Sequence, residues 1–168
     1  AKSPAKVKFD VFRRVNTGGK PLNNQEIRNC LAEKHTRDLI NELAFSDQFR
    51  SATSGSVGSA RMEAQELVLR FIGLWYDRVK RQSEWIYKGN MTEYLDNAVE
   101  LLNARKPENF EEIRRAFYRS MINSEYLFAQ YSFRKCLPQH LAPGARQQLI
   151  NKSLYSTWSV VLSTVSPE

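Results

Sequence analysis

The chain has 168 residues, of which 42% are hydrophobic and 26% charged, and its formal net charge is +7 at pH 7. This length fits one domain that buries roughly two thirds of its unfolded surface. No apolar run approaches the roughly 20 residues that span a bilayer, and the N-terminus lacks a signal-peptide pattern, so we expect a cytoplasmic protein without a membrane partner. The positive charge indicates either an anionic partner, nucleic acid first, or simply a basic surface.

The cysteines and histidines argue against metal and nucleophile chemistry. Cys30 and Cys136 are far apart, without CxxC spacing, and we expect both to be small buried hydrophobic residues. His35 and His140 stand alone in opposite halves of the chain, which excludes a convincing zinc site. Neither histidine belongs to a recognisable Ser-His-Asp or Cys-His arrangement, so no catalytic residue is predicted.

The first element is predicted to be a helix that ends before the paired glycines. Ser3 followed by Pro4 is typical of a helix start. Valines recur at every fourth position, with Phe12 beside them: Val7, Val11 and Val15. A strand would explain the alternation of Val7, Phe9 and Val11, but the start signal and the terminal glycines favour the helix.

A second helix is predicted after Leu22. Asn23 is placed to cap it, and Glu26 to bond back to the Asn23 N–H in a capping box. Thr36 and Ser46 are predicted to cap further short helices. The buried side of this region is predicted to comprise Ile27, Leu31, Leu39, Ile40 and Leu43.

Three further helices are predicted in the second half of the chain. Asn90 or Thr92 caps the first, and Pro107 precedes the second, which reaches about residue 131. The last helix covers about 145–163. Its inward residues are predicted to be Leu149, Ile150, Leu154, Trp158, Val161 and Leu162.

The pattern as a whole predicts an all-α fold, because nothing alternates long enough for a sheet. The helix over about 60–80 is apolar on nearly every face and is expected at the centre of the molecule. The fold class is therefore a single-domain bundle of about six helices with a hydrophobic central helix. It comprises a glycine-turn corner with helices over 1–50, a small, polar and flexible loop over 51–59, and a helical bundle over 60–168.

The segment from Asn16 to Arg28 concentrates polar groups with little bulk around them. Gly18 and Gly19 leave backbone N–H groups uncovered near the start of the second helix, whose positive dipole end favours a phosphate. The candidate nucleotide- or phosphate-binding residues are Arg13, Arg14, Asn16, Thr17, Gly18, Gly19, Gln25 and Arg28. The arginines would add charge-assisted hydrogen bonds. The alternative is a helix-turn-helix corner in which glycine ends one helix and Asn23 caps the next.

A second basic group is interleaved with aromatic residues. The candidate DNA-binding residues are Arg78, Lys80, Arg81 and Lys88, mixed with Trp75, Tyr76, Trp85 and Tyr87. Basic residues among aromatic rings suit contact with a nucleic-acid strand. The alternative is that the rings complete a core helix and the lysines are its solvated end. Arg70, within the same apolar helix, is expected to have a carboxylate, a helix C-terminus or an anion beside it.

Motifs in all parts of the chain carry a family resemblance. They are Phe12-Arg13-Arg14-Val15-Asn16-Thr17-Gly18-Gly19, Leu22 with Gln25-Glu26-Ile27-Arg28, the Arg61–Phe71 helix, Tyr87-Lys88-Gly89-Asn90-Met91 leading into Tyr94-Leu95, Phe128 with Ser132-Phe133-Arg134, and Ile150-Asn151-Lys152-Ser153-Leu154-Tyr155. In these motifs the chain resembles the GmrSD-type restriction endonuclease N-terminal-domain family, a domain-of-unknown-function family, and specifically its helical C-terminal half.

The resemblance implies a component of bacterial defence that acts on modified DNA with a nuclease domain or subunit. Family members handle a nucleoside triphosphate through an Asp-Gly-Gln-Gln-Arg motif on a ParB-like fold, and neither that motif nor a His-Asn-His nuclease signature occurs in this sequence. The chain is therefore expected to be the helical part of a modification-dependent restriction or phage-defence protein, supporting a nucleotide-handling subdomain outside it. The full-length protein would be an NTPase coupled to a nuclease.

Cofactor and partner expectations follow from the same resemblance. A nucleoside triphosphate with Mg is implied for the full-length protein, whereas no cofactor and no activity are implied for this part alone. The implied partners are DNA, an N-terminal subdomain and a nuclease, and an apolar surface facing that subdomain would favour self-association. The alternative function is a non-enzymatic helical scaffold that binds DNA or a partner protein.

Overall fold

The computed structural model describes residues 5–15, 21–58, 60–80, 87–142 and 144–166. Within these ranges the fold is all-α, as predicted, and the only β pairing is an isolated bridge between Arg134 and Ile150. The helices are α1 (Ala5–Val15), α2 (Asn24–Leu31), α3 (Lys34–Ala44), α4 (Asp47–Ala52), α5 (Glu63–Arg78), α6 (Met91–Ala104), α7 (Glu111–Phe128) and α8 (Lys152–Leu162). The described residues thus form eight α-helices where a bundle of about six was expected, and three of the eight are short helices within residues 24–52.

None of these helices combines the length and the apolar run that a bilayer crossing requires.

The helical prediction for the first element is confirmed, but the valine pattern does not mark its buried face. Val7 and Val11 are exposed, whereas Phe9 is fully buried and Phe12 packs partly against the core. A phenyl ring buries more apolar area than a valine side chain, so the phenylalanines decide which face of α1 meets α2 and α6. The predicted cap at Ser3 and Pro4 lies outside the described residues.

The capping box at the start of α2 is confirmed. The Asn23 side-chain oxygen accepts a bond from the Glu26 N–H at 2.8 Å, and the Glu26 carboxylate accepts one from the Asn23 N–H at 2.6 Å. Ser46 caps α4, as predicted. The prediction for Thr36 is wrong, because α3 begins at Lys34 and buries Thr36 within it.

Helix α5 begins at Glu63, three residues later than predicted. Arg61 and Met62 have φ values of 53° and 61°, which no regular α-helix allows, and they form a short turn instead. Ten of the 16 residues of α5 are buried, and the helix packs against α3, α6 and α8. Gly73 allows α6 to come close, because a Cβ at that position would stand 3.0 Å from the Tyr94 ring.

Helices α6 and α7 begin near their predicted positions. Asn90 caps α6 by accepting bonds from two backbone N–H groups, and Pro107 opens a 3-10 turn that leads into α7. Helix α7 ends at Phe128, where Ala129 takes φ 45°, and a further 3-10 turn reaches Tyr131. Ile122 on α7 is exposed, whereas its neighbour Met121 is fully buried.

Helix α8 begins seven residues later than predicted. Residues 145–150 contain no helix, because the backbone there pairs with Arg134, and the Asn151 N–H donates to the Phe133 carbonyl at 2.8 Å. Asn151 then caps α8. The predicted inward face is consequently wrong at three positions, all exposed, with Leu149 at 82%: Leu149, Trp158 and Val161. The residues that face the core are Tyr155, Ser159, Val160 and Leu162.

The predicted 51–59 loop is partly helical and is tied to the rest of the molecule by Arg134. Ser51 and Ala52 belong to the last turn of α4. The Arg134 guanidinium donates from Nη2 to the Thr53 carbonyl at 2.9 Å and to the Ser56 hydroxyl at 2.6 Å. The flexibility of the remaining residues of this loop stays a prediction.

Candidate functional site

The predicted phosphate-binding corner lies where the end of α1 and the start of α2 meet α6. Four of its eight predicted residues are in the described part of the chain. The other four, Asn16, Thr17, Gly18 and Gly19, lie outside the described residues, and the predictions for them stay predictions. The geometry of the corner therefore depends on Arg13, Arg14, Gln25 and Arg28.

One carboxylate brings the two helices of the corner together. Asp96, on α6, accepts a bond from Arg13 Nη2 at 2.7 Å on one oxygen and from Arg28 Nε at 2.9 Å on the other. Only 9% of the Asp96 side chain is exposed. Bonds between ionised groups in so buried a position are among the stronger polar contacts in a protein.

Arg28 is the most enclosed member of this cluster, with 2% of its side chain exposed. Its Nη1 donates to the Gln25 side-chain oxygen at 3.4 Å and its Nη2 to the Thr92 carbonyl at 3.1 Å. Burial lowers the pKa of the Arg28 guanidinium, and Asp96 offsets part of that change. Gln25 is buried as well. Both side chains already have partners within the chain, which makes them supports of the corner.

Arg13 and Arg14 differ although they are neighbours. Arg13 is half-buried and, besides Asp96, donates from Nε to the Asn24 side-chain oxygen at 3.1 Å. Arg14 is exposed and has no polar partner among the residues that the structure describes. Of the four described candidates, Arg14 is thus the cation whose hydrogen bond donors remain available to a ligand.

Sequence reasoning missed Asp96, the residue that organises this corner. A signal was present, because Asp96 stands between Leu95 and Ala98 on the apolar face of a predicted helix. A carboxylate in that position is rarely buried without a cationic partner. The same argument was applied to Arg70, and there the expectation of a nearby carboxylate is confirmed by two bonds to Glu66 at 2.9 and 3.0 Å.

Of the four residues predicted to bind DNA, one is paired within the chain and two are accessible to solvent. Lys80 forms an ion pair with Glu112 and lies over the Trp75 ring at 5.3 Å. Arg78 is 61% exposed, with only a 3.6 Å contact to Asp77, and Lys88 is exposed. Arg81 lies outside the described residues, as does Trp85. Trp75 and Tyr76 are buried, as the alternative interpretation predicted.

The cysteines correct one prediction. Cys30 and Cys136 are both exposed and not buried. Cys30 lies on the outer side of α2, and Cys136 lies in the irregular segment after α7, so neither contributes to the core.

Metal-ligating side chains do not cluster in the described part of the chain. Within them, no group of three or more histidine, cysteine, aspartate or glutamate side chains is arranged to hold a metal ion. The only buried carboxylate of the corner, Asp96, is already bound by two arginines. Asp96 therefore already has a cationic partner on each of its oxygens.

The family resemblance rests on the sequence motifs alone and stays a prediction. Comparisons with family models, curated proteins and solved structures find no significant match for this chain.

Proposed function

We propose that this chain is the helical part of a modification-dependent restriction or phage-defence protein and supports a nucleotide-handling subdomain that is not among its 168 residues. The class of protein rests on the motif resemblance. The observation that supports it is the Asp96 cluster, in which one buried carboxylate holds both helices that flank residues 16–20. A segment whose two ends are fixed loses less conformational freedom when it meets a ligand or a neighbouring domain.

The proposal gives the corner residues two different roles. Arg13, Gln25 and Arg28 position the corner, because their polar groups are bound to Asp96, to Asn24 and to one another. Arg14, exposed and without a partner in the described residues, is the cation offered to the nucleotide-handling subdomain. The nucleoside triphosphate and Mg are therefore assigned to that subdomain and not to this chain.

The test uses a full-length protein that carries this chain together with its nucleotide-handling subdomain. We expect Arg14→Ala combined with Asn16→Ala to reduce nucleotide-dependent activity about tenfold or more, which corresponds to about 1.4 kcal/mol of lost transition-state stabilisation. The Tm should stay unchanged, since Arg14 supports no described contact. Arg50→Ala, which removes an exposed arginine from α4, is the matched control. Unchanged turnover in the double variant would remove the proposal.

A second candidate function, DNA binding by a helical scaffold, is favoured by Arg78 and Lys88. Both are exposed, and Arg78 lines a cavity of about 420 Å³. Titration of the chain with duplex DNA across a salt series tests this candidate. We expect Arg78→Gln combined with Lys88→Gln to reduce the slope of log K against log salt by about 2, one for each lost phosphate contact. An unchanged slope, or no binding at low salt, would exclude this surface.

A further inference from the structure

A surface cavity lies far along the chain from the predicted corner. It has a volume of about 420 Å³ and is enclosed by the segment from the end of α7 to the bridge before α8; we call it the 130–148 cavity. This volume falls in the range of sites that bind small molecules. Its cationic lining residues are Arg134, Lys135 and Arg146, and none of its described lining residues is an aspartate or a glutamate.

Arg134 is a buried cation that forms no ion pair with a carboxylate of the described residues. Only 5% of it is exposed, and four of its five N–H donors are bound to neutral oxygens: those of Thr53, Ser56, Ser132 and Gln148. The second hydrogen of Nη1 has no acceptor among the described residues. Burying a charge with neutral partners only is costly, and an anion would offset that cost.

Lys135 and Arg146 add to the positive potential of the cavity. Both are exposed, and neither has a carboxylate within ion-pair distance in the described parts of the chain. Three like charges around one concave surface repel one another, and the repulsion is stronger where protein atoms displace water. A ligand with two or more negative charges would relieve it better than a monoanion.

His140 offers one more donor to the same cavity. Its Nδ1 accepts a bond from the Leu137 N–H at 3.1 Å, so the neutral ring carries its proton on Nε2. The ring can therefore donate a hydrogen bond without becoming charged. Guanidinium, ammonium and imidazole donors are together the set that recognises phosphate oxygens.

We infer that the 130–148 cavity binds a small phosphate-bearing anion, with Arg134, Lys135 and Arg146 supplying charge and His140 a neutral donor. This inference is independent of the function proposed for the N-terminal corner, because the cavity shares no residue with it. The ligand class is a diphosphate or a phosphate ester of low molecular mass.

Two exposed cysteines make the inference testable in the unmodified chain. Cys136 lines the cavity, whereas Cys30 lies on α2 and serves as the internal control. The rate of alkylation by iodoacetamide, an uncharged reagent, is measured at each cysteine by mass spectrometry, with pyrophosphate or with sodium chloride of equal ionic strength. We expect pyrophosphate at twice its Kd to slow alkylation of Cys136 about threefold and to leave Cys30 unchanged.

The control variant combines Lys135→Gln with Arg146→Gln. Both side chains are exposed and without described partners, so the fold should persist while the protection of Cys136 disappears. Arg134 is left intact because it holds the turn at Thr53 and Ser56.

Three outcomes would overturn the inference. They are equal alkylation rates with and without pyrophosphate, protection of both cysteines alike, and protection that persists in the double variant. A further arm replaces pyrophosphate with a single-stranded oligonucleotide. Protection by the oligonucleotide alone would also overturn the inference, because it would assign the surface to a nucleic-acid strand.

Discussion

Asp96 shows how much of an apparently functional corner one side chain can organise. Its two oxygens are bound by Arg13 and Arg28, which belong to different helices. In the sequence both arginines looked like phosphate ligands because they flank paired glycines. In the structure their charges already face a carboxylate of the same chain, so the first effect of removing Asp96 would be on folding.

We predict that Asp96→Asn destabilises the chain by about 3 kcal/mol, because it leaves the buried Arg28 guanidinium without its ion-pair partner and takes from Arg13 the nearer of two carboxylates. The free energy of unfolding from urea titrations measures this loss, provided that the m value does not change. Asp38→Asn is the control: Asp38 pairs with Lys34 on the surface of α3, and its loss should cost no more than about 0.5 kcal/mol. Equal effects of the two substitutions would contradict this assignment.

Among helices, the clearest polar link joins α3 to α7. Arg114 donates from Nε and Nη2 to the two oxygens of Glu42, at 2.8 and 2.9 Å, and the Tyr118 hydroxyl donates to the same carboxylate at 3.2 Å. The hydrogen bond from Arg114 is the main reason that the pKa of Glu42 is held below its ordinary value. Part of the attachment between these helices is therefore sensitive to pH.

A group whose pKa is lower in the folded state stabilises that state above its unfolded pKa and loses this contribution as the pH falls through the folded value. We therefore expect the stability advantage of the native chain over Glu42→Gln to be greatest near neutral pH. It should shrink steadily below about pH 4.5, the ordinary pKa of the carboxyl. Urea titrations of both proteins from pH 7 to about pH 3 measure the difference. If the stability advantage of the native chain over Glu42→Gln instead grew as the pH fell, the prediction would be wrong.

Helix boundaries could be predicted where the signal is local. The Asn23–Glu26 capping box involves only four consecutive residues, and it was found from the sequence. The start of α8 could not be predicted in this way, because Ile150 forms a bridge to Arg134, which lies outside the segment that was read as a helix. The periodicity of that segment is compatible with a helix, and only the tertiary contact decides otherwise.

At the scale of the whole molecule, the all-α class followed from the absence of alternating patterns, whereas the pairing of charges did not follow from spacing. The carboxylate that binds Arg70 belongs to Glu66, four residues away on the same helix. The carboxylate that binds Arg28 belongs to Asp96, 68 residues away in the chain. For this reason the sequence predicted which residues line the candidate site but not which of them are already bound. Only the structure shows that Arg13 and Arg28 are bound to Asp96 while Arg14 is accessible.

Arg134 also has a consequence for the motion of the protein. Its guanidinium binds Thr53, 81 residues earlier in the chain, and Gln148, 14 residues later. When either segment separates from the surface, the same cation becomes hydrated and the other segment loses its donor. The turn after α4 and the irregular stretch before α8 should therefore open as one cooperative unit, and their amide hydrogens should exchange with solvent at a common rate.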